Sequence, residues 1–253
     1  MKVHYVFKTA GQNLANLYEI VYFGRMLIIG RTVNGELVVI YIITGRSEGS
    51  QNRRFIETPD GGIGLEVADD DLEKGDPELT LYNATMRAGK KIIVTNGKQT
   101  DLIARGLSGG KDIFETMSGD DDLCMYESDH PHFTPRISAT AEIVKDVFEG
   151  KIIICRKSFF GDGVFRSKFD VSNCARGFGF GISTYADNAK GPLPPFVGEP
   201  LILPIVGNAA EIADEYWAMA SKHGFETALG VQVSKDDGSV ETEIRNRHEA
   251  KAD

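Results

Sequence analysis

The sequence predicts an α+β protein built largely from antiparallel hairpins, and three observations carry that prediction. Apolar runs of strand length recur in pairs around turn signals. Only a few segments show the period of an amphipathic helix. No internal repeat and no sharp composition break interrupts the 253 residues, so one domain is expected.

Taken in order, Val3 to Phe7 reads as a short strand. Gly24 to Arg31 and Glu36 to Ile43 then flank Asn34-Gly35, a strong hairpin turn signal, and should pair antiparallel. Phe55 to Val67 is extended and broken at Pro59-Asp60-Gly61-Gly62. Leu79 to Met86 and Lys91 to Thr95 form a second hairpin across Ala88-Gly89-Lys90. Thr100 or Asp101 is placed to cap a helix through Leu102, Ile103 and Leu107. Thr134 precedes a proline and is pushed out of helical geometry, so Phe133 to Ala139 should be extended. Lys151 to Cys155 and the glycine-punctuated Gly177 to Tyr185 are further strands. Gly191 to Pro204 holds five of the nine prolines and reads as irregular connection. The clearest helix runs from Asn208 to His223, with Asn208 as cap, Glu211 closing a capping box and Gly224 as stop. Its stripe Ala209, Ile212, Ala213, Tyr216, Trp217 and Ala220 should face the core. Thr227 to Val233 and Ser239 to Ile244 make a last hairpin, followed by a charged tail, 246 to 253, expected to fray. Helices should lie on the outer faces of the sheets.

Composition limits the function classes. Apolar residues are 42% of the chain and charged residues 26%, enough for an ordinary buried core. The longest apolar stretches, such as Leu37 to Ile43, fall far short of the ~20 residues a membrane helix needs. The first residues, Met1-Lys2-Val3-His4-Tyr5, lack the apolar core of a signal peptide. Three cysteines imply no disulfide framework, so a cytoplasmic protein is expected. A net charge of −9 argues against a nucleic-acid polymer as partner, because such proteins carry a basic footprint. It leaves room for a small anion, since a local arginine cluster can hold a phosphate within an acidic protein.

Such a cluster stands at Thr44 to Phe55. At the end of an apolar strand the chain turns to glycine, hydroxyls, Asn52 and the arginines Arg46, Arg53 and Arg54. Guanidinium forks match phosphate and carboxylate oxygens in pairs. The hairpin pairing places Arg25 close to Arg46. A solvated loop whose arginines pair with nearby acids has the same residue pattern.

Familiar chemistries are poorly represented. His130 and His132 near Asp129 lack a third histidine at helical spacing and a cysteine pair, so a loop role is favoured over a metal site. Gly45-Arg46-Ser47-Glu48-Gly49 fits the letters of a nucleophile elbow without its strand–turn–helix setting. Gly109-Gly110-Lys111-Asp112 lacks the hydroxyl that a phosphate-binding P-loop carries after its lysine.

The ordered motifs do resemble one family. Phe23-Gly24-Arg25, Gly30-Arg31, Gly45-Arg46-Ser47 and Asn52-Arg53 look like the opening of the archaeal-type IMP cyclohydrolases. Leu81-Tyr82-Asn83, Thr95-Asn96-Gly97, Tyr126-Glu127, Thr134-Pro135-Arg136-Ile137 and Ile182-Ser183-Thr184-Tyr185 follow in the same order. The resemblance implies a four-layer αββα sandwich of antiparallel sheets like that of the N-terminal nucleophile hydrolases. It implies closure of the purine ring of 5-formamidoimidazole-4-carboxamide ribotide to IMP, with loss of water and no need for a metal, redox cofactor or covalent intermediate. It assigns catalysis to Arg53, Tyr82 and Glu127, and substrate binding to Arg25, Arg46, Ser47, Asn52, Asn96 and Arg136. Two departures from the family pattern are the greater length at both ends and Met125, where an acidic residue is expected two places before the glutamate. Lys2 after Met1 leaves no terminal nucleophile, so the hydrolase chemistry of that fold class is not expected. A related cyclase or amide hydrolase on another nucleotide-like substrate, and a non-catalytic nucleotide-binding protein, use the same arginine pocket. Exposed hairpin edges make a homo-oligomer the expected state.

Overall fold

In a computed structural model, described here for residues 2–77, 81–186, 193–235 and 237–248, the chain forms two antiparallel sheets with a few helices. Helix α1 spans Lys2–Glu19, followed by β1 (Arg25–Arg31), β2 (Leu37–Thr44) and the single turn α2 (Glu48–Gln51). Strands β3 (Arg53–Glu57), β4 (Ile63–Val67), β5 (Asn83–Ala88) and β6 (Lys91–Thr95) come next. Helices α3 (Gln99–Ser108) and α4 (Ile113–Thr116) lead into a 3₁₀ turn at Asp122–Cys124. The rest comprises β7 (Arg136–Val144), β8 (Val147–Lys157), β9 (Val164–Asp170), β10 (Phe178–Ser183), β11 (Leu201–Pro204), α5 (Ala209–Ser221), β12 (Glu226–Ser234) and β13 (Val240–Asn246).

One sheet has the order β11-β10-β1-β2-β12-β13 and the other β3-β4-β5-β6-β7-β8-β9. Their central strands are apolar on both faces, which is why the sequence there reads as continuous apolar runs. Alternate residues serve different cores. Leu27, Ile29, Val39 and Tyr41 meet Phe55, Ile92, Val94, Ile137 and Ile154 between the sheets. Met26, Ile28, Ile40 and Ile42 face the other way, against α5 and Leu17 of α1. Ile93, Ile153 and Cys155 pack with Ile103 and Ile113 of α3 and α4. Each fully buried aliphatic side chain contributes ~1.5–3 kcal/mol, so a one-residue slip of β1 or β2 would exchange two cores at once.

Several expectations hold in detail. The first hairpin pairs Arg25 with Ile43 through Arg31 with Leu37, and Gly35 turns it at φ 97°, a conformation that favours glycine. Asn208 and Glu211 form the reciprocal capping box, and the predicted stripe of α5 is buried apart from the half-buried Trp217.

Others are corrected. Val3 to Phe7 is helical, part of α1, because the amphipathic segment containing Ala10 and Leu17 docks along β11 and overrides the local strand preference. Leu201 to Pro204, read as irregular, pairs with β10 at a sheet edge, where proline is tolerated. Gly191 and Pro192 of the predicted connection lie outside the described residues, as do Leu79 and Thr80 of the second hairpin. Neither Thr100 nor Asp101 caps α3. Lys98 stands at the cap without a side-chain capping bond to the helix, and the Thr100 hydroxyl instead joins Thr95 and the Asn83 and Gly97 carbonyls. The start of the predicted frayed tail is tied down: Asn246 exchanges two hydrogen bonds with the Phe55 backbone.

Candidate active site

The space between the sheets opens at one end where β1 and β7 begin and β2 and β6 finish. Arg25 is the first residue of β1 and points inward with Leu27 and Ile29. The preceding Gly24 has φ 74°, and a Cβ there would collide with Thr184 and Tyr185. Glycine is thus required for the strand to enter beneath those two side chains. Its carbonyl accepts from both the amide and the hydroxyl of Thr44, closing the floor between β1 and β2.

A cleft of about 550 Å³ lies over this floor. Arg25, Arg46, Ser47, Ser50, Glu127 and His132 line it, with Tyr22 and Tyr185 forming an aromatic wall. The two tyrosine rings are stacked with centroids 6.1 Å apart, and the Arg46 guanidinium sits 5.2 Å from the Tyr22 centroid. Arg46 also lies 3.2 Å from His132 Nε2. Asp76 and Asp129 complete the polar rim, and Asp129 is held by the amide and hydroxyl of Thr134.

Behind the cleft lies a buried charged cluster. Glu127 is 2% exposed, and its Oε1 is 3.7 Å from Arg136 Nη1. That oxygen has no hydrogen-bond partner, and neither do Arg25 Nε, Arg53 Nη1 and Arg136 Nε, all of them buried. Buried polar groups are ordinarily satisfied, so four orphans together need an explanation. Arg53 is buried; its Nε donates to the carbonyl of Ser50, a residue of the cleft wall. Tyr82 is buried, and its hydroxyl lies 2.7 Å from that of Tyr41, which projects from the middle of β2.

Burial raises the Glu127 carboxyl above its ordinary range, and Arg25 and Arg136 offset only part of that effect. Burial also acts to pull Arg25 and Arg53 down. At Arg25 the neighbouring Glu127, Tyr82 and Tyr41 more than reverse it, whereas at Arg53 the like charge of Arg25 adds to it. The Tyr41 phenol is pushed well up, first by burial and then by Tyr82, so its hydroxyl keeps its proton and can donate.

Of the nine site residues expected from sequence, Arg25, Arg46, Ser47 and Glu127 line the cleft. Arg53, Tyr82 and Arg136 stand in the layer behind it. Asn52 and Asn96 do not face it. The Asn52 amide is saturated by the backbone of Asp69 and Glu73, fastening the acidic loop after β4. Asn96 is saturated by Pro135, Ile137 and Gln99 and locks β6 to the start of β7. The Ser47 hydroxyl caps α2 by accepting from Ser50. Met125 caps the 3₁₀ turn outside the cleft wall, so that departure from the family pattern leaves the lining unchanged. Sequence reasoning missed Tyr22, Tyr41, Asp129, His132 and Tyr185. The signal available for Tyr41 was a phenol inside an otherwise aliphatic strand, which must find a partner when buried.

A larger cleft of about 830 Å³ lies on the outer face of the second sheet beside α4. Four carboxylates, Asp112, Glu142, Glu149 and Asp170, line it beside Lys91, Lys111 and Lys151, with Lys91 paired to Glu142 and Lys151 to Asp112. Among the described residues no arginine lines it, so it lacks the unpartnered buried guanidinium nitrogens that stand behind the other cleft.

Comparison with known proteins places the chain in a family. Residues 22–238 match the family described as IMP cyclohydrolase-like protein. The chain belongs to that family. The IMP cyclohydrolase of Methanocaldococcus jannaschii is 33% identical over 119 residues, covering 47% of this chain and 55% of the relative. Those of Methanococcus maripaludis strain C7 and Methanopyrus kandleri are each 31% identical over 117 residues, 46% of this chain and 56% and 57% of the relatives. The matched region therefore spans just over half the length of these IMP cyclohydrolases.

Proposed function

We propose that this protein is an IMP cyclohydrolase, closing the ring of 5-formamidoimidazole-4-carboxamide ribotide to IMP and water. The observation that carries the reading is the group of buried, unpartnered donors on Arg25, Arg53 and Arg136 gathered around Glu127 at the base of an aromatic-walled cleft. Membership of the IMP cyclohydrolase-like family supports it.

In the reaction the carboxamide nitrogen attacks the formyl carbon, a C–N bond forms, and the former formyl oxygen departs as water. The nucleophile is weak, so orientation carries much of the acceleration. The imidazole lies against Tyr22 and Tyr185, and the phosphate meets Arg46 and Ser47 at the rim. Arg25, backed by Arg53, stabilises charge on the formyl oxygen, an interaction worth ~3–4 kcal/mol in oxyanion holes. Glu127, with its raised carboxyl, takes the amide proton, a role worth ~10²–10⁴-fold. Tyr82, linked to Tyr41, returns a proton to the departing oxygen. Arg136 holds Glu127 in place.

This reading includes the four-layer αββα arrangement of the N-terminal nucleophile hydrolases. It also includes self-association through sheet edges, with a dimer or larger species expected in light scattering. No described helix is long and apolar enough to cross a membrane, and the three cysteines are free and buried, which suits the proposed cytoplasmic setting.

The test is incubation of purified protein with the formylated ribotide, following the appearance of IMP by absorbance. Catalytic turnover by the wild type, with strong losses in Arg53→Ala and Glu127→Gln, is the expected result. Binding without turnover would reduce the protein to a nucleotide-binding role. Near-normal turnover in both variants would remove those residues from the mechanism.

A further inference from the structure

The space between the sheets also opens at its opposite end, where β2 begins and β5 and β12 finish. There Arg87 projects inward from β5, in register with the core residue Ile92. Its Nη2 donates to the Ser234 hydroxyl at 2.5 Å, while its Nε is buried without a partner. Burial pulls this guanidinium below its usual value, so its charge is poorly solvated. A pocket of about 370 Å³ lies against it, within the range of small-molecule sites.

The wall of that pocket is cationic on one side and apolar on the other. Arg87, Lys90 and Lys235 contribute charge, Ser234 a hydroxyl, and Leu37 and Ile143 an apolar surface. Among the described residues no carboxylate lines it, in a chain whose net charge is −9. Lys235 is paired from outside with Glu241 at 3.1 Å, while Lys90 is exposed to solvent. Glu36 and Asp237 also act on Lys235 from beyond the pocket. The scaffold holds Arg87 in this position: the neighbouring inward residue of β5, Thr85, bonds Gln232 of β12 just as Arg87 bonds Ser234.

We propose that this pocket is a second anion site, separate from the candidate active site, for a phosphate-bearing small molecule about the size of a nucleoside monophosphate. The phosphate accepts from Arg87 Nε, the Ser234 hydroxyl and Lys90, and the body of the ligand lies on Leu37 and Ile143. Guanidinium and ammonium groups supply the charge-assisted bonds such an anion needs, and among the described residues no wall carboxylate repels it. The proposal does not depend on the cyclohydrolase reading, because the two sites lie at opposite ends of the inter-sheet core.

The test is calorimetric titration of the full chain with inorganic phosphate and with adenosine 5′-monophosphate at low salt. Four proteins are compared: wild type, the cleft variant Arg46→Ala, and the pocket variants Arg87→Gln and Lys90→Gln. Binding should persist in Arg46→Ala. It should weaken about tenfold or more in Arg87→Gln, the scale of one lost charge-assisted contact, and severalfold in Lys90→Gln. The exposed Lys90 makes its variant informative even if Arg87→Gln folds poorly. Tighter binding of the nucleotide than of phosphate supports the apolar wall as part of the site. Equal affinities would reduce the site to a phosphate pocket and overturn the assignment of ligand size. Loss of all binding in Arg46→Ala, or unchanged binding in both pocket variants, would overturn the site itself.

Discussion

Strand β1 carries an arginine at each end, and the two have opposite fates. Arg31 is 6% exposed and saturated: its Nε donates to the Gly35 carbonyl, and its two terminal nitrogens donate to the backbone and carboxylate of Asp146. Arg176 joins the same carboxylate from outside. Arg25 shares the strand and the sign of charge, yet its Nε has no partner and its nearest carboxylate, Glu127, keeps an unpartnered oxygen. A buried guanidinium with its donors met belongs to the scaffold, because nothing remains to offer a ligand. One with donors left open costs stability unless something else completes it. The comparison teaches that satisfaction, rather than burial or residue type, distinguishes the two ends of β1.

The largest effect that would break this contrast concerns Glu127 and Arg25. Arg25→Ala should lower kcat for ring closure by ~10²–10³-fold, the range seen when an oxyanion donor is removed. Arg31→Ala should instead lower the thermal midpoint by several degrees and leave turnover per folded molecule unchanged. Calorimetry beside steady-state kinetics separates the two outcomes.

The next effect tests the phenol pair. Tyr82→Phe should reduce kcat by ~10²-fold if its hydroxyl carries a proton, with KM little changed. Because it leaves the buried Tyr41 hydroxyl single, it should also cost ~1–3 kcal/mol in urea unfolding. Tyr41→Phe leaves the Tyr82 hydroxyl in place and should cost less in kcat than in stability.

A third comparison sharpens the role of Glu127 through pH. As a base it must be ionised, and its carboxyl is raised by burial, so the acidic limb of kcat/KM should fall at a pH above the ordinary glutamate range. Stability runs in the opposite sense. A carboxyl raised in the folded state favours folding fully below its unfolded value and loses that contribution as pH rises through its folded value. The stability of Glu127→Gln relative to wild type should therefore improve as pH increases, which denaturant titrations across that limb can measure.

Much of the scaffold was legible because its signals were local. Asn34-Gly35 fixed the first hairpin, and Asn208 with Glu211 fixed the start of α5. The failures came where distant packing outweighed local preference. Val3 to Phe7 has strand-forming residues but lies in a helix docked on β11, and β11 itself is a short apolar edge strand hidden in a proline-rich stretch. The site was legible to a similar depth. Arg25, Arg46 and Glu127 stood in motifs whose order marked them, and they do share a cleft. Asn52 and Asn96 stood in the same motifs, but their side chains close loops, a use of asparagine that sequence order does not distinguish from ligand binding. Tyr41 and Tyr82 meet only because two sheets stack, a relation that no spacing along the chain records.

The smallest predicted effects concern residues outside the cleft wall. Asn96→Ala should lower unfolding stability by ~1–3 kcal/mol through its lost backbone bonds, with a lesser effect on KM. Met125→Asp, outside the cleft wall, should change turnover less than either.

The most direct measurement is the rate of IMP formation by Arg25→Ala and Arg31→Ala, each normalised to the fraction folded. The account predicts a loss of about two orders of magnitude or more in the first and near-wild-type turnover in the second. Equal losses in both, or full activity in Arg25→Ala, would contradict it.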